Sequence, residues 1–101
     1  MIINRLFNQY NASQIYKGLW MGDLDAAKDN AFFQKYNIKS VVNCTPEVEF
    51  NKLAENKFRL NVNDNLQIDE IMKMYKNLDK ITDWIHNSLN NNNNVFVHCH
   101  M

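Results

Sequence analysis

The longest regular pattern in the chain is carried by Ile68, Ile71, Met72, Tyr75, Leu78, Ile81, Ile85 and Leu89, which recur at spacings of three and four. That period places them on one face of a helix about 30 Å long, with Asp69, Glu70, Lys73 and Lys80 on a solvated face. IKSVVNC, residues 38–44, is a β-branched run of strand length between polar residues, and it predicts a buried strand. KFRLNV, residues 57–62, alternates Phe58, Leu60 and Val62 with Lys57, Arg59 and Asn61, the period of a strand. VFV, residues 95–97, predicts a short buried strand that delivers His98 and Cys99 at its carboxyl end.

Between these segments the polar residues read as caps and turns. Ile15-Tyr16 and Leu19-Trp20-Met21 flank Lys17-Gly18, a pattern for two short strand pieces joined by a turn and stopped at Gly22-Asp23. Asp23 is placed to cap a helical turn over LDAAKD and Asn30 a second over AFFQKY, with Asn37 suited to a left-handed closing residue. Thr45 as cap, Pro46 at the first helical position and Glu47 in the first turn predict a short helix over TPEVEFNKLAEN. NDNLQ, residues 63–67, reads as a polar loop, and Asn90 to Asn94 as a second loop of loosely constrained length. Strands separated by helical segments imply an α/β sheet with helices on its faces. In such sheets ligands collect outside the carboxyl ends of the strands, where Cys99 falls.

Composition narrows this reading. A chain of 101 residues supports one core, burying about 65% of its unfolded surface. Its 46% hydrophobic content, with one Pro and two Gly, fits a globular domain. Eleven basic residues balance eleven acidic ones without a Lys/Arg block, so charge points to neither nucleic acid nor anionic lipid as a partner. The opening residues break their apolar positions with Asn, Arg and Gln, offering neither a signal-peptide run nor a membrane span. The expectation is an intracellular protein, cytoplasmic or nuclear. Its two cysteines, Cys44 and Cys99, are expected as free thiols.

The chemistry concentrates at the end, in His98-Cys99-His100-Met101. For Cys99 the plain alternative is a buried structural cysteine, the usual fate of that residue after an apolar strand. For Asp64 it is a turn residue within Asn63-Asp64-Asn65. His98 and His100 would share one side of an extended segment that Cys99 does not, and neither Cys44 nor His86 stands at metal-motif spacing from them. Cys44, after a buried strand, is expected to pack in the core, with a role as redox partner of Cys99 as the alternative. Trp20, Trp84, Met72 and Met74 read as packing residues.

Taken in order, these segments resemble the dual-specificity protein phosphatases of the cysteine-based tyrosine phosphatase superfamily. The matching elements are Leu19 to Gly22, Ile38 to Thr45, Asn63-Asp64, the helix over 68–89, and Val95 to Cys99, covering the chain from about residue 14 onward. The resemblance implies a mixed central sheet flanked by helices, with no metal or organic cofactor. It implies hydrolysis of phosphotyrosine and phosphoserine/threonine in a phosphoprotein substrate, through a phosphocysteine on Cys99. Asp64 would be the general acid and then the general base, and His98 a buried orienting residue. His100 and Met101 would take variable positions of the phosphate-binding loop, where backbone N–H groups serve the substrate.

Elementary chemistry agrees with that assignment. A thiol of ordinary pKa, about 8.5, is mostly protonated at neutral pH, so a cysteine nucleophile needs surroundings that favour its thiolate. A strand turning into a helix N-terminus supplies them, and its N–H groups also bind phosphate oxygens. The family loop runs His-Cys-x-x-Gly-x-x-Arg, and this sequence supplies its first four positions. The expectation is the N-terminal portion of one catalytic domain, residues 1–101, ending inside the active-site loop, without the C-terminal helices and inactive by itself. A non-catalytic binding module of the same fold is the alternative.

Overall fold

Five strands and three helices are built from residues 10–60 and 68–99, which a computed structural model describes, with side chains given for all of these but 68–76. Strand β1, Ala12–Tyr16, pairs antiparallel with β2, Leu19–Gly22, across the Lys17-Gly18 turn. Gly18 has φ +81°, and a Cβ there would lie 2.9 Å from Asn94 Oδ1, so the turn favours glycine on both counts. The remaining strands are β3, Ile38–Asn43, β4, Asn56–Arg59, and β5, Asn94–His98. The sheet order is β1-β2-β5-β3-β4, and the pairs β2·β5, β5·β3 and β3·β4 are all parallel. β5, last in sequence, is therefore central, flanked on both sides as a continuous apolar strand requires.

Helix α1, Leu24–Ala27, is capped as expected by Asp23, whose Oδ1 accepts from Ala26 N–H at 3.0 Å. Helix α2, Asn30–Lys35, departs from expectation by one residue. Its cap is Asp29, which has extended backbone and accepts from Ala31 and Phe32 N–H. Asn30 is already helical, and its Oδ1 accepts from Asn51 Nδ2 at 3.0 Å. A carboxylate outside the first turn is the better acceptor for N–H groups carrying the positive helix end. Asn37 closes α2 in the left-handed region, φ 51°.

Both helices press Phe32, Phe33, Ala26 and Ala27 onto one face of the sheet, where Trp20, Val41 and Phe96 point. Phe32 is fully buried and meets Phe96 edge-on at 5.1 Å and Trp20 at 5.5 Å. The opposite face carries Ser40, Val42, Val95, Val97 and Phe58, following the alternation of the paired strands. Helix α3, Ile68–Asn90, crosses this face, with Trp84 packed on Phe58 at 5.6 Å. Where its side chains are described, from residue 77 on, the apolar stripe is covered only in part: Ile81, Trp84, Ile85 and Leu89 are half-buried and Leu78 is 57% exposed.

Two sequence expectations fail for long-range reasons. TPEVEFNKLAEN is not helical. Thr45 Oγ1 does accept from Val48 N–H at 3.1 Å, as a helix cap would. The carbonyls that should continue the helix are taken by side chains instead. Arg59 donates to Thr45 O and to Val48 O at 2.7 Å each, and Asn43 Nδ2 also donates to Val48 O at 2.7 Å. The asparagine tract is likewise more than filler. Asn90 is helical, Asn92 adopts φ 61°, and Asn92 and Asn93 N–H bond back to Leu89 and Ser88 carbonyls, closing α3 in a left-handed cap. Asn94 belongs to β5 and donates from Nδ2 to Tyr36 O at 2.7 Å. In KFRLNV, β4 begins at Asn56 and the pairing ends at Arg59, with Leu60 buried and Val62 outside the described residues.

Candidate active site

The parallel pairings bring four strand ends into one row. Gly22 pairs with His98, His98 with Asn43, and Asn43 with Arg59. These residues come from four distant parts of the sequence, and each is the last of its strand. Cys99 follows immediately and is half-buried. Its placement at the carboxyl edge of a parallel sheet is where such folds expose reactive groups.

His98 is 2% exposed, on the aromatic face, with its ring stacked on Phe96 at 5.6 Å. Its Nδ1 lies 3.1 Å from Cys99 O, so the hydrogen sits on Nδ1 and is donated to that carbonyl. Burial pushes the imidazole pKa below its ordinary 6.5, and the nearby Arg59 cation pushes in the same direction against the bond to Cys99. The ring is therefore neutral at neutral pH and ties the main chain at Cys99 to the sheet.

Around the neighbouring strand end, polar side chains do what a helix would have done with main-chain bonds. Asn43, fully buried, accepts from Thr45 N–H at 3.1 Å and Thr45 Oγ1 at 2.7 Å, while its amide holds Val48 O. Arg59 lies over the Phe50 ring at 4.9 Å while gripping the Thr45 and Val48 carbonyls. Cys44 sits inside this clamp and donates its N–H to His98 O at 2.9 Å. It is half-buried where a core position was expected, and its thiol pKa is raised, first by burial and then by negative charge at Cys99.

Of the site residues expected from sequence, the structure places His98 and Cys99 together. Asp64, His100 and Met101 lie outside the described residues. Asn43 and Arg59 were missed. The Asn-x-Thr pattern at 43–45 is a local signal for side-chain bonding to the main chain, but nothing local marks Arg59, an outward position of a strand. Among the described residues no group of three His, Cys, Asp or Glu side chains converges, and no helix is long and apolar enough to cross a membrane.

Comparison with known proteins bears on this geometry. The family described as "Dual specificity phosphatase, catalytic domain" matches residues 19–101. No curated protein matches the sequence. Among solved structures, DUSP15 superposes with a TM-score of 0.77 at 18% identity, covering 90% of this chain and 56% of that one. A mouse dual specificity phosphatase gives 0.75 at 16% identity over 90% and 55%. A human tyrosine phosphatase-like serine/threonine/tyrosine-interacting protein gives 0.68 at 20% identity over 91% and 64%. The chain thus spans less than two thirds of each of these structures, and at such identities the likeness speaks to the fold.

Proposed function

The chain belongs to the dual specificity phosphatase catalytic-domain family, and from that membership we propose that the whole protein hydrolyses phosphotyrosine and phosphoserine/threonine through a phosphocysteine formed on Cys99. The observation that carries this reading is the row Gly22–His98–Asn43–Arg59, which holds four parallel strand ends in register with Cys99 one residue beyond.

In this mechanism the Cys99 thiolate attacks phosphorus in line with the leaving oxygen, forming S–P as P–O breaks. Asp64 gives its proton to the leaving alcohol or phenol, then takes one from the water that attacks the phosphocysteine. Inorganic phosphate leaves and the thiolate returns. His98 acts as a tether: neutral and bonded to Cys99 O, it orients the nucleophile and exchanges no proton with substrate. His100 and Met101 would offer backbone N–H groups to phosphate oxygens. The glycine and arginine of the family loop come after the first four positions, so turnover is proposed for the whole protein. A phosphoprotein substrate, reached from an aqueous intracellular compartment, is what the family implies.

The test is turnover of an aryl phosphate and a phosphopeptide by the full-length protein. Cys99→Ser is expected to abolish turnover while keeping substrate bound, and Asp64→Ala to slow it most for substrates with poor leaving groups. Equal turnover by Cys99→Ser and the parent sinks the proposal. An inactive parent that still binds phosphopeptide supports a binding module instead.

A further inference from the structure

We propose that Arg59 is a positioning residue for Cys99: its guanidinium keeps residues 45–52 out of the helix their sequence encodes, and so holds the end of β3 against the peptide that carries the nucleophile. The latent helix is read from the chain itself. Thr45, Pro46 and Glu47 are the residues of a helix start. Thr45 Oγ1 already accepts from Val48 N–H at 3.1 Å, as a cap does. Such a helix takes its first bond from Glu49 N–H to Thr45 O and its fourth from Lys52 N–H to Val48 O.

Those two carbonyls are the ones Arg59 holds, at 2.7 Å each. Asn43 Nδ2 also donates to Val48 O at 2.7 Å, which fills both lone pairs of that oxygen. A third grip is on a side chain: the guanidinium lies over the Phe50 ring at 4.9 Å, and Phe50 packs against the aromatic core. One planar cation thus fixes the segment at Thr45, Val48 and Phe50. Bonds from a charged donor are the stronger kind, and a fork reaches two carbonyls at once. Residues 44–50 are accordingly neither helix nor strand.

The segment leads directly to the site. Thr45 follows Cys44, whose N–H bonds His98 O at 2.9 Å and extends the ladder between β3 and β5 past its last pair. His98 O belongs to the peptide that joins His98 to Cys99, and the His98 ring holds Cys99 O at 3.1 Å. The main chain at the nucleophile is therefore held from two sides, and Arg59 secures the side that Cys44 supplies. Cys44 acts here through its main chain alone; its thiol takes no part. The Arg59 cation is also felt at His98, in keeping with their places in one row.

The experiment compares the full-length parent with Arg59→Ala and Arg59→Lys, each with and without Lys52→Pro. Lys52 is the first central residue of the turn that Ala54 N–H closes onto Asn51 O at 3.0 Å, a position proline suits. In a helix begun at Thr45 the same proline removes the N–H that Val48 O needs and clashes with that carbonyl. In Arg59→Ala, Cα chemical shifts over 46–54 are expected to move to helical values and exchange of Cys44 N–H to quicken about tenfold. A lysine ammonium has no fork, so Arg59→Lys is expected to show the same two changes, and it keeps the test standing where the alanine variant loses the fold. Adding Lys52→Pro is expected to return both readouts to the parent's values. Exchange at Cys44 that neither Arg59 variant alters, or that stays as fast after the proline is added, overturns the proposal; the second result is what a merely structural arginine gives. The effect on turnover rests on the function proposed above: kcat for an aryl phosphate is expected to fall about tenfold in Arg59→Ala at unchanged KM, and to recover with the proline. Shifts and exchange need no turnover, so an inactive parent that shows them separates the failure of that function from the failure of this role.

Discussion

The two faces of the sheet are built differently. On one, Phe32, Phe33 and Phe96 are buried to 2% exposure or less, and Trp20 and Tyr36 meet at a tilt beside them, their rings 4.2 Å apart. On the other, Val42 and Val95 are fully buried in the sheet, yet the helix above them leaves Leu78 more than half exposed and Ile81, Trp84 and Ile85 half-buried. The aromatic face is close-packed and sets where β5 runs. Among the described residues, the helix from residue 77 on covers the sheet without closing over it. Since Phe96 and His98 both point to the aromatic face, the candidate nucleophile is positioned chiefly by packing on the side away from α3.

The sharpest way to break this comparison is Phe96→Ala. Large-to-small changes at such sites cost about 3–5 kcal/mol, and denaturant unfolding should show a loss of that size. A loss under about 1 kcal/mol would mean that the aromatic face does not dominate. Next is Asn43→Ala, which strands Thr45 N–H and removes one donor from Val48 O. Buried groups left unpaired cost about 1–3 kcal/mol, and hydrogen exchange at Thr45 and Val48 should accelerate before the global transition moves.

Acid should act on the aromatic face through His98. Its folded pKa lies below the ordinary 6.5, so the unfolded chain takes up the proton first. The stability its neutral form contributes is complete above 6.5 and is lost as pH falls through the folded value. Cys44 has the opposite sign: its raised pKa contributes stability that is complete below the ordinary thiol pKa and is lost as pH rises through the raised, folded value. Unfolding midpoints measured against pH should lose their acid limb in His98→Gln and their alkaline limb in Cys44→Ala. The smallest effect is expected at Leu78→Ala, within about 0.5 kcal/mol for an exposed position; a loss above about 2 kcal/mol would show Leu78 to be buried in solution.

Much of this architecture was legible in the residues themselves. The helix over 68–89, the strand that begins at Ile38, the apolar run 95–97 of the last strand, the Asp23 cap and the left-handed Asn37 all follow from signals that operate within four or five residues. The α/β class follows from their order. The candidate site was legible as a family pattern at His98-Cys99, because the strand delivering it has an unmistakable apolar run.

Elsewhere, local rules were outvoted from a distance. Thr45-Pro46-Glu47 has every local mark of a helix start, and the Thr45 hydroxyl bonds as a cap should. Arg59, fourteen positions away, captures the carbonyls that the next helical turn needed. Asn94 reads as loop until Tyr36 O, 58 positions earlier in the chain, draws its amide into the start of β5. What the sequence by itself determined is the set of elements and the chemistry at the end of β5, because period, capping and turn propensity are short-range. Which residues face one another across the row, Asn43 beside His98 above all, was decided only when two distant parallel strands aligned, since parallel register depends on packing of both faces and has no turn to set it.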